Sequence, residues 1–517
     1  MPEPAPEAPV EPSVPPGNGR RLHIFINQVQ LGTLHEDNDL WTLVYLPRWV
    51  DRPDSFDLSP ALPRSQLLHR DGATLRPVQW YFDNLLPEEK LRELIAADAQ
   101  LRNPDDAFAL LEYLGAESAG SLTLLPPGES PHTPDDLEPL PYEALSRRIQ
   151  GLPRTTLMRD APKRMSLAGA QHKMLAVLKG PDVYEPVGST PSTHILKPDH
   201  PARDTYPASA YLEWLTMQLA AAAKLPTPPV ALLQVPQPVY AIERFDRQFD
   251  RADLAPETAT TPPAVQRVHV IDACQLLNRS RVFKYGAGVQ VLRELSQACE
   301  DQLTTPVRLF RWLVFNLLVA NDDCHLKNLS FLVTPGRVDL SPHYDLLATG
   351  VYQTRAFAHE QERWPAVPLA LRLSPTVTRF DQVTPEAVLA AAATLGVPEK
   401  LALRTIREVV SRVLVAFDAL YAEHYPQQEG LMAQLRAKDF ELPKPSDPGE
   451  PPGPGRDDAA ARFPAPERAQ QLTLLRVLRH IVLPEMVPRI LADERNTRHR
   501  PAARTRCGTA APGHDLS

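Results

Sequence analysis

Hydrophobic and polar positions alternate near the start of the chain in the way that strands do. Residues 21–50 contain the segments RLHIFI, VQLGTL and WTLVYL, with a turn at Asn27-Gln28 between the first two. A helical pattern follows in FDNLLPEEKLRELIAAD, where Pro87 suits the first helical turn, and another covers Asp106 to Leu114 and ends at Gly115. These patterns predict a small N-terminal α/β domain over residues 20–125.

The body of the chain changes from strand patterns to helical ones. The segments MLAVL, HILKP and VYAIERFD have strand character, and a helix is expected from about Ala208 to Lys224. The rest of the chain is predicted to be helical. Residues 307–320 are apolar nearly all round, as in a buried helix. Thr384 is predicted to cap a helix that ends at Gly396, and another helix is predicted over residues 400–421. We therefore predict an α+β body with a strand-rich lobe, residues 151–248, and a helical C-terminal lobe, residues 249–440.

Proline marks the segments between these units. The chain contains 57 prolines, and residues 1–19 are a Pro-rich arm that we expect to be disordered. Residues 126–150 are polar and Pro-rich and are predicted to link the N-terminal domain to the body. Residues 441–468 are predicted to be a second, Pro/Gly-rich linker. The last segment, residues 469–517, is predicted to be one helix followed by a disordered tail.

Composition narrows the class of protein. The 517 residues are 43% hydrophobic and 23% charged, and the net charge of −8 gives no sign of a surface for nucleic acid. Four widely spaced cysteines supply neither zinc-ligand spacing nor a disulfide framework. No signal peptide and no run of eighteen apolar residues are present. We expect a cytoplasmic protein without a membrane span.

The segment NDDCHLKN, followed by Tyr344-Asp345, carries the most specific chemistry. Phosphoryl transfer needs a carboxylate to orient the attacking hydroxyl, and an Asn and a second Asp to hold magnesium. Asp323 precedes Asn328 by five residues, the spacing of a kinase catalytic loop, and Asp345 follows 17 residues later. The alternative is a polar loop that caps the preceding buried helix.

Features upstream favour the kinase interpretation. Lys197 ends the strand HILKP, and Glu213 lies on the next predicted helix, as a phosphate-binding lysine and its carboxylate partner do. The loop Ala168, Gly169, Ala170 and Gln171 could present backbone N–H groups to phosphate oxygens, although its single glycine matches neither Walker A nor GxGxxG. Taken alone, Lys197 or Glu213 could instead be a solvated surface residue.

Seven segments together resemble the HipA family of serine/threonine-protein kinase toxins. SLAGAQHK, THILKP, ERFDR, DCHLKNLS and LSPHYDLLA resemble the family's kinase signatures, while FDNLLPEE and LGAESAGSL resemble those of its N-terminal domain. They occur in the family's order over about residues 21–425. The resemblance implies a two-lobed protein-kinase-like fold with an additional small N-terminal domain, and the use of ATP and Mg²⁺.

The resemblance also implies a role for individual residues. Asp323 would be the catalytic base and Asn328 and Asp345 the magnesium ligands. Ser166 matches a serine that the family autophosphorylates, an event expected to expel the nucleotide loop. The residues implied to contact or support the nucleotide are Ala168, Gly169, Ala170, Gln171, Lys197, Glu243, Phe245, His325 and Lys327.

The function implied is that of a type II toxin that phosphorylates an aminoacyl-tRNA synthetase. Its implied partner is a helix-turn-helix antitoxin, through which DNA would be contacted only indirectly. Three positions depart from the family's pattern: His172, Cys324 and His343. A catalytically weak corepressor that acts by binding an antitoxin, or a kinase for a small molecule, are the alternatives left open.

Overall fold

The structure is a computed structural model that describes residues 19–131, 135–159, 161–162, 166, 168–258, 261–437 and 465–491. The Pro-rich arm up to residue 18, most of the predicted Pro/Gly-rich linker and the predicted tail from residue 492 lie outside the described residues.

The N-terminal unit is a five-stranded antiparallel sheet with four helices. Its strand order is β4-β3-β2-β1-β5, and Asn27 and Gln28 both have positive φ in the turn that joins the first two strands, as a tight hairpin requires. The predicted turn and the predicted helix from Asp106 are confirmed. The elements are β1 Arg20–Ile26, β2 Val29–Asp37, β3 Leu40–Tyr45, α1 Pro47–Val50, β4 Leu68–Arg70, α2 Pro77–Asp83, α3 Glu89–Asp98, α4 Ala107–Leu114 and β5 Leu122–Leu125.

One predicted helix of this unit is wrong in its boundaries. FDNLLPEEKLRELIAAD is divided between the end of α2 and the whole of α3. Pro87 is not in a first helical turn, because it forms an isolated parallel bridge with Gly169, more than eighty residues away. A long-range contact, which local pattern cannot report, therefore sets the start of α3.

The second unit is a six-stranded antiparallel sheet of order β10-β11-β9-β7-β8-β6. The three strands predicted for the body and the helix after HILKP are confirmed. The predicted linker 126–150, in contrast, contributes a strand and a helix, because β6 pairs with β8. The elements are β6 Asp136–Pro139, α5 Tyr142–Gly151, β7 Met174–Lys179, β8 Asp182–Val187, β9 His194–Pro198, α6 Ser209–Ala222, β10 Val230–Val235 and β11 Gln237–Glu243.

The remainder is mostly helical but also contains two small sheets that the sequence patterns did not predict. Strands of two to five residues are too short to show an alternation. The elements are β12 Arg247–Gln248, β13 Gln266–Arg267, β14 Val270–Asp272, α7 Ala273–Leu276, α8 Gln290–Gln297, α9 Thr305–Leu318, β15 Ser330–Thr334, β16 Arg337–Leu340, α10 Arg355–Ala358, α11 Pro385–Thr394, α12 Glu399–Ala422, α13 Leu431–Ala437, α14 Ala465–Val477, a π-helical turn Leu478–Val482 and α15 Leu483–Ile490.

The helix α9 lies at the centre of this part and confirms the prediction of a buried helix. Trp312 and Phe315 are fully buried, and α9 packs against α8, α11, α12 and α15. The C-terminal segment is thus part of the same core, because α15 covers α9 and α14 packs on α6. Within the described residues, no helix combines the length and apolar character that a membrane crossing needs.

A buried ion network joins the N-terminal unit to the second sheet. Glu117, which follows α4, accepts hydrogen bonds from Arg247 at 3.0 Å and from Arg244 at 3.3 Å. Asp246 accepts from Arg244 and from the Gly120 N–H at 2.7 Å. Buried charges are stable only when they are paired in this way. The ERFDR segment is consequently fixed against the N-terminal unit.

Candidate active site

Lys197 is the centre of the candidate site. It is the fourth residue of β9, and its ammonium group lies 2.7 Å from Glu213 Oε1, on α6, and 2.6 Å from Asp345 Oδ1. Both ion pairs are charge-assisted hydrogen bonds, and the Glu213 side chain is fully buried. Two carboxylates, one of them 148 residues away in sequence, therefore meet on one lysine. The sequence predicted the pair of Lys197 with Glu213.

The two carboxylates on Lys197 differ in their electrostatics. Burial raises the pKa of Glu213 to about 7 against the opposing effect of Lys197. At Asp345 burial also acts to raise the pKa, but Lys197 and Lys173 outweigh it and hold the pKa at about 2. Asp345 thus keeps its negative charge at neutral pH.

Asp323 and Asn328 lie on one short segment after α9. The Asn328 side-chain amide donates to the Asp323 backbone oxygen at 2.9 Å, and the Asn321 side chain accepts from the Asp323 N–H at 3.1 Å. A 3₁₀ turn over Leu326–Asn328 completes the loop. These bonds fix the backbone while the Asp323 carboxylate stays 48% exposed.

Two aromatic rings flank the Asp323 carboxylate. The Tyr285 hydroxyl donates to Asp323 Oδ1 at 2.5 Å, and the Tyr285 and His325 rings meet edge to face at 4.9 Å. Desolvation raises the pKa of Asp323 and lowers that of His325. The lowered pKa of His325 favours its neutral form, and its ring packs against that of Tyr285.

The glycine loop precedes β7 and is linked to the site through Lys173, whose charge acts on Asp345. Gly169 has a φ of +104°, which L side chains rarely adopt. The Lys173 ammonium donates to the Ala168 oxygen at 2.6 Å, and burial together with Lys197 lowers its pKa to about 8. His172, which departs from the family's pattern, is buried, and desolvation lowers its pKa to about 4, so it adds no charge at neutral pH.

Ser166 is fully buried at the start of this loop. Its hydroxyl donates to the Leu85 oxygen at 2.6 Å and its N–H to the Glu117 oxygen at 2.7 Å. Both acceptors belong to the N-terminal unit. In this conformation the hydroxyl is not exposed for phosphorylation, so modification requires the loop to move.

Lys327 faces the N-terminal unit. Its ammonium donates to both oxygens of Asn84, at 2.7 and 3.0 Å, and to Asp272 at 2.9 Å. All of these groups are buried. Lys327 therefore supports the catalytic segment from behind, which is compatible with the supporting role that the sequence suggested, while a direct contact with nucleotide stays a prediction.

The predicted adenine contacts lie at the end of β11. The Glu243 N–H already donates to the Pro229 oxygen at 3.0 Å, and its carboxylate pairs with Arg251 at 2.9 Å. The half-buried Phe245 lies 5.5 Å from the ring of Tyr344, the residue before Asp345. Phe245 is thereby the better placed of the two to contact a base, and both roles stay predictions.

The donor set suits magnesium better than a transition metal. Asn328 and Asp345 offer an amide oxygen and a carboxylate, and Mg²⁺ is commonly held by one or two carboxylates together with substrate phosphates. Asp345 Oδ2 makes no hydrogen bond within the described part of the chain. No group of three or more His, Cys, Asp or Glu side chains that could hold a metal ion occurs there either.

Several site residues were not predicted. Lys173 closes the SLAGAQHK motif and could have been found from it. Glu88 and Lys284 form an ion pair, and Tyr285 contacts Asp323, but nothing in their local sequence indicates these contacts. They are visible only once segments about forty to two hundred residues apart are placed together.

Comparisons with known proteins identify the family. Residues 22–125 match the family model of the HipA N-terminal domain, and residues 165–417 match that of the HipA-like C-terminal domain. The chain is 33% identical to the putative kinase Y4mE of Sinorhizobium fredii over 320 residues, 60% of this chain and 72% of the relative. It is 28% identical to the serine/threonine-protein kinase toxin HipA of Shewanella oneidensis over 357 residues, 64% of this chain and 76% of the relative.

A solved structure shares the fold. It is the Shewanella oneidensis HipA in a complex with HipB and operator DNA, and it matches with a TM-score of 0.61 and 24% identity over 88% of this chain and 96% of that one. The mixed helix and sheet architecture agrees with this match. The chain belongs to the HipA family of kinases.

Proposed function

We propose that this protein is an ATP- and Mg²⁺-dependent serine/threonine protein kinase that acts as the toxin of a type II toxin–antitoxin system. The observation that carries the proposal is the double ion pair of Lys197 with Glu213 and Asp345. A strand lysine held by a helix glutamate is the arrangement that positions nucleotide phosphates in kinases. In this proposal the second sheet and the helical remainder are the two lobes of a kinase-like fold.

The proposed reaction gives each of these polar groups a role. A seryl hydroxyl of the acceptor donates to Asp323, which orients its oxygen for attack on the γ-phosphorus of ATP. The new P–O bond forms as the bond to the β,γ-bridging oxygen breaks, ADP leaves with the electron pair, and the hydroxyl proton passes to Asp323. Lys197 neutralises phosphate charge, and a magnesium ion held by Asn328 and Asp345 would supply further charge neutralisation.

The raised pKa of Asp323 suits this role, because a base must bind the proton that it accepts. The glycine loop at Gly169 would cover the phosphates. Ser166 is proposed as an autophosphorylation site, since its hydroxyl anchors this loop to the N-terminal unit. Phosphorylation would add about 1.5 to 2 negative charges at a buried position and release the loop.

The partners are proposed from the relatives. The Shewanella structure contains HipB and operator DNA, so a HipB-like helix-turn-helix antitoxin is the partner proposed here, with DNA contacted through it. An aminoacyl-tRNA synthetase is the protein substrate proposed. The net charge of −8 agrees with an indirect contact to DNA.

The test is phosphate transfer from labelled ATP with magnesium, to the protein itself and to proteins of a bacterial lysate, located by mass spectrometry. Asp345→Ala and Asp323→Ala should abolish the label, while Asp204→Ala, at an exposed position, should retain it. Removing a general base alone lowers rates by about 10²- to 10⁴-fold.

Each alternative predicts a different result. Label on one lysate protein and on Ser166, absent from Asp345→Ala, supports the protein kinase. Transfer only to a small metabolite would identify a small-molecule kinase. No transfer at all, from folded protein that still binds its antitoxin, would favour the corepressor.

A further inference from the structure

Tyr285 is hydrogen-bonded to the carboxylate of the proposed base, Asp323. Its phenol O–H donates to Asp323 Oδ1 at 2.5 Å, the same hydrogen bond that a seryl hydroxyl would make to the base before phosphoryl transfer. Burial and the Asp323 carboxylate raise the pKa of the Tyr285 phenol, so the phenol keeps its proton and remains a donor. An acceptor hydroxyl that binds Asp323 Oδ1 therefore competes with Tyr285 for this oxygen.

The residues before Tyr285 are fixed to the rest of the site by their charged groups. Arg281 pairs with Asp83 at 2.8 Å, and Lys284 pairs with Glu88. The Lys284 backbone oxygen also accepts the Leu326 N–H at 3.1 Å, which ties this segment to the catalytic turn. The segment next to Asp323 is thus attached to the N-terminal unit on one side and to the catalytic turn on the other.

The two apolar side chains between these anchors point to solvent. Val282 is 68% exposed and Phe283 is 59% exposed. Two adjacent exposed apolar residues of this size, next to a group that reacts with a partner, are typical of a recognition surface. The only other large apolar side chain in the described residues with greater exposure than these is Leu303, at 88%, and it lies in the loop before α9.

We propose that Arg281–Tyr285 is the acceptor-recognition segment: Tyr285 holds Asp323 until an acceptor hydroxyl replaces it, and Val282 and Phe283 bind an apolar side chain next to the acceptor serine or threonine. The partner is an extended protein segment in which the modified residue is flanked by an apolar one. This inference rests on the proposed kinase activity and adds to it the residues that select the acceptor.

The backbone after Tyr285 contains two glycines and is hydrogen-bonded to Arg372. Gly286 follows Tyr285 directly with a φ of +75°, and Gly288 comes two residues later. Displacement of the phenol needs only a rotamer change of the Tyr285 side chain, with the backbone kept in place. Displacement leaves the phenol unmodified and exchanges one hydrogen bond to Asp323 for another.

The test uses the full-length protein with ATP, magnesium and a library of serine peptides that are degenerate on both sides of the serine. The wild-type protein should prefer an apolar residue at a flanking position. Phe283→Ser and Val282→Ser should raise the acceptor KM, by about tenfold for Phe283, because the contact area of an aromatic side chain is lost. Leu303→Ser, at an apolar position that is even more exposed, should leave the acceptor KM unchanged.

Tyr285→Phe separates displacement from a structural role. Without the competing phenol the acceptor KM should fall several-fold. The kcat should change little, because phenylalanine keeps the ring that meets His325 edge to face and removes only the competing hydroxyl. Loss of a merely structural hydrogen bond would instead leave the acceptor KM unchanged or raise it.

The outcomes distinguish this inference from the function on which it rests. Peptide phosphorylation that Asp345→Ala lacks, with an unchanged acceptor KM in Phe283→Ser, would overturn the recognition segment and leave the kinase intact. No peptide phosphorylation by wild-type protein that still labels a lysate protein would overturn the recognition segment alone, and the absence of both transfers would overturn both. Phosphate found on Tyr285 would show that the phenol is itself an acceptor and would also overturn the inference.

Discussion

The Lys327 ammonium lies 3.5 Å from Glu88 Oε1, and both side chains are buried. Glu88 also pairs with Lys284, and its backbone N–H donates to the Gly169 oxygen at 3.2 Å. One residue of the N-terminal unit thereby joins the glycine loop to the catalytic segment. The N-terminal unit is consequently a structural part of the candidate active site.

Glu88→Gln should destabilise the protein, because it removes a negative charge that pairs with two lysines, Lys284 and Lys327. Removing one partner of a buried ion pair costs about 3 to 5 kcal/mol, and we expect the lower end because Lys327 keeps Asp272. Urea unfolding at pH 7 measures the change. Glu89→Gln is the matched control, because Glu89 is 62% exposed and also lies near Lys284, and it should change the free energy of unfolding by less than about 0.5 kcal/mol. Equal effects of the two variants would contradict the prediction.

Much of this site could be predicted from the sequence because its chemistry lies in short motifs. The spacing of Asp323 and Asn328 and the strand-then-helix order of Lys197 and Glu213 are local features. Glu88 and Tyr285 could not be predicted, because their partners are decided by how distant segments pack. For the same reason the pairing of β6 with β8 was not predicted. An exposed edge strand of four residues with a proline at its end has the sequence pattern of a linker.

Lys173 should make nucleotide binding depend on pH. Burial and Lys197 lower its pKa to about 8, so its ammonium is charged below pH 8 and loses its proton as the pH rises through that value. Neutral Lys173 no longer attracts the triphosphate. Because ATP binding is coupled to one proton, that of Lys173, the affinity for ATP should fall by at most about tenfold per pH unit. Displacement of a fluorescent ATP analogue between pH 7 and about 9.5 measures this.

The control for Lys173 is a lysine outside the site. Lys173→Met should bind ATP more weakly at pH 7 and lose the decline above pH 8, whereas Lys400→Met, at an exposed position, should behave like the wild-type protein. A parallel decline in wild-type protein and Lys173→Met would show that another group is responsible.

The C-terminal helices should be essential for stability. Met486 and Val487 are fully buried in α15, which covers α9, and the buried Arg479 lies 4.7 Å from the centre of the Tyr421 ring. Met486→Ala should lower the free energy of unfolding by about 2 to 5 kcal/mol through lost burial and the cavity left behind. His480→Ala, on the exposed side of the same segment, is the control and should have little effect. An unchanged urea midpoint for Met486→Ala would mean that this segment is not held on the core in solution.

A negative charge at Ser166 should release the glycine loop. The buried hydroxyl and N–H of Ser166 donate to the carbonyl oxygens of Leu85 and Glu117, and a carboxylate at this position would face the Leu85 oxygen without a donor. An unpaired buried charge costs several kcal/mol, so Ser166→Asp should detach the loop. The variant should have an ATP KM raised by at least about tenfold and should be cleaved more readily by proteases near Gly169. Ser166→Ala loses only one hydrogen bond, worth about 1 kcal/mol, and should keep an ATP KM close to that of the wild-type protein. Thr376→Asp, at an exposed position, controls for added charge. If Ser166→Asp and Ser166→Ala had the same ATP KM, the hydroxyl would not be the anchor through which the N-terminal unit holds this loop.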